Sequence, residues 1–337
     1  MSLNYSFIVP VYNRPDEVFN LLQSLSLLSG GIPFEVVIVE DGSSEPCKAV
    51  CERFRESVTI NYYFKENTGP GDSRNYGMRN ANGNYFIILD SDCIVPPAYL
   101  EIVNQAISKD FVHCFGGPDA AHERFSNLQK AINYTMTSFW TTGGIRGGSE
   151  QLDKFQPRSF NMGLSKEAFE KTGGFGRIHP GEDPDLVLRL WKEDYKTKLL
   201  SDAFVYHERR ISWKLFFKQV NKFGKVRVIL NKWHPQSRKL AFTLPSAFVV
   251  GLIVAIVLGF AGWYLPLAIY VFYIFVLGVH STFKNNVVVG CYSMISALIQ
   301  FTGYGLGFIH ATFQIHLLGR NEQVAYPELF FKERKLS

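Results

Sequence analysis

Short apolar runs alternate with helical repeats through the N-terminal part of the chain, and long uncharged stretches take over after residue 240. Phe7-Ile8-Val9-Pro10-Val11 is an uninterrupted apolar run, the mark of a strand buried on both faces. From Asp16 to Leu28 the apolar positions Val18, Leu21, Leu22 and Leu25 fall at helical spacing behind Pro15 and Asp16 as starting signals. The alternation continues with a strand over Glu35–Glu40, a helix over Pro46–Arg55, a strand over Thr59–Phe64 and a helix from Gly71 to Asn80. It then reaches Asn84-Tyr85-Phe86-Ile87-Ile88-Leu89-Asp90, a strand that stops at a carboxylate. Strands alternating with helices predict an α/β domain with a doubly wound, mostly parallel sheet, assigned to residues 1–210.

No Asp, Glu, Lys or Arg occurs between Leu240 and Val279, or between Asn285 and Leu318. A helical bilayer span needs about 20 apolar residues, so the first stretch holds two spans and the second holds one. They are expected near 242–261, 264–281 and 288–310, with Gly262-Trp263-Tyr264-Leu265-Pro266 as the break between the first two. Residues 240–318 are thus read as a transmembrane region and 319–337 as a tail. The chain's mean hydropathy, near zero, averages two unlike halves.

Charge adds orientation. Ten Lys/Arg residues and no acid lie between Arg209 and Lys239, and the positive-inside rule places this block and the N-terminal domain in the cytoplasm. Within 211–239, Trp213, Phe216, Phe217, Val220 and Phe223 recur at helical spacing with lysines on the other side, predicting a basic helix in the headgroup plane. No nucleic-acid partner is expected. Three spans would put the tail outside, yet the tail carries Arg320, Lys332, Arg334 and Lys335. The two signals conflict; either the first stretch does not cross twice, or the third segment is re-entrant or interfacial. The first residues lack the features of a signal peptide. Five scattered cysteines form no metal-ligand pattern and suit a reducing compartment.

Candidate chemistry gathers at the strand ends, where open α/β sheets bind ligands. Tyr12 and Asn13, Asp41, Asn67, and then Asp90 and Asp92 all fall there. If the strand continues extended, Asp90 and Asp92 share one face and close on a Mg²⁺ or Mn²⁺ ion with positions left for substrate phosphates. The plain alternative is a strand-terminal turn. Asp41, before Gly42-Ser43-Ser44, can accept from a base or ribose, or cap its own loop. Asn67-Thr68-Gly69-Pro70-Gly71-Asp72-Ser73-Arg74 runs into a helix start that suits a phosphate with Arg74 beside it, or is a capped helix with an exposed Arg. Glu182 and Asp183, in Gly181-Glu182-Asp183-Pro184-Asp185, sit where a helix dipole favours acids, and where a general base can stand. Clustered acids raise one another's pKa. His207 ends a strand and can be structural or a metal ligand.

Taken together, Phe7–Asn13, Val39-Glu40-Asp41-Gly42-Ser43, Asn67-Thr68-Gly69 with Ser73-Arg74-Asn75, Leu89-Asp90-Ser91-Asp92, Asn161-Met162-Gly163 and Gly181-Glu182-Asp183 resemble an inverting family 2 glycosyltransferase of the GT-A fold. The resemblance covers about residues 4–230 and implies a nucleotide-diphosphate sugar donor. Asp41 then corresponds to the acid that recognises the base, with Pro10, Tyr12 and Asn13 beside it. Asn67, Gly69, Arg74, Asp90, Asn161 and Gly163 fall in the donor-binding motifs. Asp90 and Asp92 match the metal pair, His207 the histidine that joins it, and Asp183 the catalytic base supported by Glu182. Two departures are mild: Glu40 replaces the first Asp of Asp-Asp-Gly-Ser, and Cys93 replaces the last Asp of Asp-x-Asp-Asp.

The implied reaction is a single displacement onto a hydroxyl of a lipid-linked or membrane-proximal saccharide. The Gln-x-x-Arg-Trp motif of processive synthases is missing from the basic block, which favours transfer of one sugar per encounter. By the same resemblance the chain is placed in polysaccharide biosynthesis on the bacterial inner membrane, with its catalytic domain facing the cytoplasm. A polyprenyl-phosphate sugar synthase and a membrane-anchored sugar-nucleotide-binding scaffold stand as alternatives. Residues 111–160, including Gly143–Gly148, are expected to form an acceptor-side loop.

Overall fold

A computed structural model describes residues 3–120, 125–142, 155–207 and 212–331. The chain divides into two compact units, one of residues 1–122, 150–208 and 330–337, the other of residues 123–149 and 209–329.

The first unit is built on strands β1 (Tyr5–Val11), β2 (Phe34–Asp41), β3 (Thr59–Lys65), β4 (Tyr85–Leu89), β5 (Cys93–Ile94), β6 (Cys114–Gly116), β7 (Asp119–Ala120), β8 (Asn161–Ser165), β9 (Thr197–Leu199) and β10 (Val205–His207). Seven form one sheet in the order β3-β2-β1-β4-β8-β6-β9, and β5-β10-β7 form a small second sheet. Within the seven-stranded sheet pairing is parallel except around β8, which runs antiparallel to both β4 and β6. The sheet is therefore mostly parallel, with one reversed strand inside it.

Two-sided burial explains the apolar runs. Phe7, Val9, Val36, Ile38, Ile87 and Leu89 face one core, while Ile8, Val37, Val39, Phe86 and Ile88 face the other, so successive residues of each strand serve opposite faces. The first face is covered by helices α1 (Pro15–Leu25), α2 (Lys48–Arg53) and, further along the chain, Tyr99–Lys109. α1 ends at Leu25, three residues before the end expected from the sequence, where the Ser26 amide donates back to Leu22 O at 2.9 Å as the cap. The opposite face is covered by α3 (Pro70–Asn80) and by a helix at Glu182–Lys192. α3 lies close to the sheet at Gly77, where a Cβ would meet the Ile8 side chain at 2.7 Å.

With Tyr99–Lys109 as α4, the remaining α-helices among the described residues are α5 (Asn127–Thr137), α6 (Phe139–Thr142), α7 (Lys166–Thr172), α8 (Glu182–Lys192), α9 (Trp213–Trp233), α10 (Leu244–Phe260), α11 (Leu265–Lys284), α12 (Val287–Thr312) and α13 (Glu322–Ala325). Residues 111–160 are not a single loop: they contain β6 and β7 as well as α5 and α6, and α5 packs on α12 within the second unit. Thr135 Oγ1 lies 2.6 Å from Ser296 Oγ there, and Tyr134 OH 2.5 Å from His280 Nδ1. Gly143–Gly148 lie outside the described residues.

Three helical stretches, Leu240–Phe260, Leu265–Lys284 and Val287–Leu317, are long and apolar enough to cross a membrane. They overlap the three expected segments. The basic helix is α9; it buries Phe216, Val220, Gly224 and Val228 and packs along α12.

Candidate active site

β1, β2, β3 and β4 deliver the candidate residues to the carboxyl ends of the strands, and hydrogen bonds between distant motifs draw them together. Asp41, the last residue of β2, is buried, and its carboxylate is fully engaged. Oδ1 accepts from Lys65 Nζ and, at 3.0 Å, from the Thr68 amide; Oδ2 accepts from the Gly69 amide at 3.0 Å. Lys65, at the end of β3, also reaches Thr68 Oγ1, which donates to Asp72 Oδ2 at 2.6 Å. Asp41 therefore fixes the Asn67–Gly69 loop in place. Gly42, at φ +72°, lets the loop after β2 pass Asn67, whose backbone nitrogen would lie 2.7 Å from any Cβ at this position.

Glu40, the departure from the double-acid motif, has a structural role. It is fully buried and accepts from Ser43 Oγ, from the Cys47 amide at 2.8 Å, from Cys47 Sγ at 3.0 Å and from Tyr62 OH at 3.2 Å. The longer acid staples the 41–47 loop to β3. Burial, followed by the Glu40 charge, pushes the Tyr62 hydroxyl upward. On the other side of that loop Asn13, at φ +54°, accepts from the Glu45 amide at 3.0 Å and from Ser44 Oγ at 3.1 Å, while its own amide donates to Ser43 Oγ at 2.8 Å. Tyr12 stands exposed beside it, next to the half-buried Pro10 at the end of β1.

Asp90 and Asp92 do not continue the strand. β4 ends at Leu89, and the Cys93 amide donates to Asp90 O at 3.2 Å, closing a turn over Ser91 and Asp92. Their proximity thus comes from a turn rather than from the two-residue repeat of an extended chain. Ser91 Oγ donates to Glu17 Oε2 at 3.2 Å, tying the turn to α1. Antiparallel pairing of β10 sets His207 opposite Cys93, adjacent in the chain to Asp92; the His207 side chain lies outside the described residues.

Arg74 is buried rather than exposed. Its guanidinium is buried against Phe175, with NH2 donating to Asp90 Oδ1 at 2.7 Å and NH1 to Glu182 Oε1 at 3.0 Å. One side chain from α3 thereby links the β4 turn to the start of α8. Glu182 also meets His179 Nδ1 at 2.9 Å. Burial alone would raise the Glu182 carboxyl, but the charges of His179 and Arg74 overcome it and hold the group down at about 2. His179, which had no distinguishing sequence context, and Arg74 are thus the partners of this acid.

Asp183 is displaced the other way. Burial raises its carboxyl above the usual range, Arg158 pulls it back through a 3.3 Å contact, and the Glu182 charge pushes it up again. Desolvation is the main cause, with the neighbouring acid secondary. Nothing in the sequence pattern pointed to Arg158 or Lys65, since a lone Arg or Lys in a loop or at a strand end carries no spacing signal. The third acid of the cluster, Asp185, is spent on Arg189, which also ties down the Thr172 and Gly174 carbonyls.

Asn161 and Gly163 are drawn into the core. The Asn161 amide donates to Ala203 O at 2.8 Å and its carbonyl accepts from Tyr99 OH at 2.6 Å, so both ends are occupied inside the domain. A Cβ on Gly163 would strike the Phe115 ring at 2.0 Å, which gives that glycine a packing reason. Asn67 is exposed at the rim and Gly69 is buried below it.

Among the described residues no group of three His, Cys, Asp or Glu side chains stands close enough to hold a metal ion alone. Asp90 and Asp92 nonetheless fit a hard divalent cation of the kind held by two carboxylates and completed by substrate oxygens and water. Both are hard oxygen donors; the Asp92 side chain is part-buried, and the Asp90 side chain is about a third exposed, at 32%.

The model of the glycosyl transferase family 2 matches residues 6–173. An uncharacterized glycosyltransferase of Bacillus subtilis is 33% identical over 232 residues, covering 66% of this chain and 54% of the relative. One from Haemophilus influenzae is 28% identical over 218 residues, covering 61% and 70%. Other relatives are longer still: the chain spans 16% of a Rickettsia felis protein of the same description. Among solved structures, a mannosyltransferase of Pyrobaculum calidifontis in complex with GDP-Man and Mn²⁺ superposes with a TM-score of 0.63 over 90% of this chain and 88% of that one. At 14% identity that likeness concerns the fold alone. The strand order, the strand-end constellation and the family match lead to one assignment: the chain belongs to glycosyl transferase family 2.

Proposed function

We propose that the chain is a metal-dependent, inverting enzyme that moves one sugar from a nucleotide-diphosphate donor to a hydroxyl of a lipid-linked or membrane-proximal saccharide. The observation that carries this reading is the Arg74 bridge between Asp90 and Glu182, which couples the donor-side carboxylates to the helix start bearing Asp183. In the reaction the acceptor hydroxyl attacks the anomeric carbon from the face opposite the leaving group. Its proton passes to the Asp183 carboxylate, the new glycosidic C–O bond forms, and the bond to the diphosphate breaks. A raised Asp183 carboxyl suits this role, since a base works best with a pKa near the working pH. Asp90 and Asp92 would hold Mg²⁺ or Mn²⁺, which when bound neutralises charge on the departing diphosphate. The Asp41-anchored 67–69 loop, with Tyr12 and Asn13 across from it, would receive the nucleoside.

Membrane attachment through the apolar helices, with the catalytic domain on the cytoplasmic side of a bacterial inner membrane, follows from the basic block before α10. The test is release of nucleoside diphosphate from membranes carrying the full chain, offered a panel of sugar nucleotides with Mn²⁺ or Mg²⁺. Release that disappears in Asp183→Asn is expected. Undiminished turnover in that variant would instead favour a phosphate acceptor, which needs no base; donor binding without release under any acceptor would favour a scaffold.

A further inference from the structure

The chain leaves the catalytic unit after residue 208 and re-enters it at residue 330, beyond all three apolar helices. The return is held by specific contacts. Phe330 forms an antiparallel bridge with Ile178, and the Phe331 amide donates to Arg177 O at 3.1 Å. The Phe331 ring occupies the space a Cβ on Gly69 would need, with its nearest atom at 2.3 Å, and lies 6.0 Å from the His179 ring. Residues on either side of the apolar region therefore belong to one folded body, which lies on one side of any bilayer. A chain that starts and finishes on one side crosses an even number of times, and three spans are excluded.

We infer that α10 and α11 form the membrane hairpin, and that α12 stays on the side of the catalytic domain as an interfacial helix. This rests on the membrane reading above. The second unit indicates which helix fails to cross. α9 lies against α12 from Trp213 beside Tyr292, ring centroids 5.9 Å apart, to Gly224 beneath Tyr304 and Phe308. Asn221 Nδ2 donates to Gly303 O at 3.0 Å in between. That contact covers about 24 Å of α12 at 1.5 Å per residue. α9 carries Lys214, Lys218, Lys222, Lys225, Arg227 and Lys232 and no acid, so a crossing α12 would drag this helix into hydrocarbon. Polar α5 packs on α12 as well, through the Thr135–Ser296 contact.

α12 meets the hairpin along the start of α10 and the second half of α11: Gly305 against Pro245 and Val249, Phe301 against Phe248 and Tyr273, and Gly290 against Gly278 and Thr282. Beyond these residues α10 and α11 pack on each other, Gly259 against Leu267 and Gly251 against Tyr270, and expose Ile253, Val257, Phe260, Trp263 and Phe272. Each hairpin stretch, Leu240–Phe260 and Leu265–Lys284, is about 30 Å long, the thickness of a bilayer core. Val287–Leu317 is half as long again. The arrangement also removes the conflict in charge, because the Arg209–Lys239 block and the basic tail now share one side.

The test uses the full chain with Cys291→Ser, which removes the exposed native thiol and leaves the four buried ones. Glu56→Cys reports the catalytic domain, Asn285→Cys the start of α12, and Val324→Cys the segment after it. A membrane-impermeant maleimide is applied to sealed spheroplasts and to inside-out vesicles. All three positions are expected to label in inside-out vesicles and to be protected in spheroplasts. Labelling of Val324→Cys in spheroplasts while Glu56→Cys stays protected would overturn the inference, as would opposite sidedness of Asn285→Cys and Val324→Cys. Release of the chain from membranes by alkaline carbonate would overturn both this inference and the membrane reading beneath it, whereas wrong sidedness in a retained chain overturns this inference alone.

Discussion

Glu182 and Asp183 are neighbours in sequence with opposite electrostatic fates, and neutralising each should give opposite effects on stability and turnover. Glu182 is held at about 2 against an ordinary value of 4.5. At 1.36 kcal/mol per pKa unit, that difference makes its ionised form worth about 3 kcal/mol to the fold. A depressed acid contributes fully above its unfolded value, so this stability is present at neutral pH and is lost as the pH falls from about 4.5 towards 2. Glu182→Gln should cost about 3 kcal/mol at pH 7, a fall in Tm of about 6–12 °C for a unit of this size. It also leaves the buried Arg74 paired with Asp90. Asp183 is raised, so the folded state resists its ionisation, and stability declines as the pH rises through its folded value. The neutral isostere removes that cost. Asp183→Asn should melt at or above the parent at pH 7 while kcat falls about 10²–10⁴-fold. The assay pairs melting curves of the detergent-solubilised full chain, from about pH 4 to 8, with nucleoside diphosphate release. A Glu182→Gln variant that melts with the parent, or an Asp183→Asn variant that keeps turnover, would refute the division of roles.

Lys65→Met removes the cation from the buried Asp41 carboxylate, and breaking a buried pair on one side costs about 3–5 kcal/mol; denaturant titration checks this, and Lys65→Arg should recover part of the loss. Arg158→Met removes the group that pulls Asp183 down, so the acidic limb of the kcat/KM profile should move to higher pH, read from initial rates across pH. Chelation with EDTA should abolish release and added Mn²⁺ or Mg²⁺ should restore it, whereas Asp90→Asn and Asp92→Asn should each need more metal for half-maximal rate, read from metal titrations.

Much of the domain was legible because burial on both sheet faces writes itself into local sequence. The apolar runs at Phe7–Val11, Val36–Val39 and Tyr85–Leu89 gave the strands, and Val18, Leu21, Leu22 and Leu25 gave the buried face of α1. The polar residues after each run gave the edge of the sheet where the site assembles. The turn at Asp90–Cys93 was less legible, since a carboxylate pair two apart reads alike in a turn and in a strand. Asn161 and Gly163 belonged to a motif, yet a motif does not reveal which way a side chain faces; Tyr99 and Phe115 decided that. Residues 111–160 carried too weak a periodicity to reveal that α5 leaves the first unit to pack on α12.

By itself the sequence determined the α/β class, the strand ends that carry Asp41, Asn67, Asp90 and Asp92, the basic helix and the three apolar segments, because each depends on residues within one or two turns of one another. The tertiary structure decided which charges meet. Arg74 joins Asp90, 16 positions away, to Glu182, 108 positions away, and Phe331 returns across the whole helical region to Gly69. Local spacing reports which face of an element is buried; the state of a buried charge depends on partners that the chain brings up only when it folds.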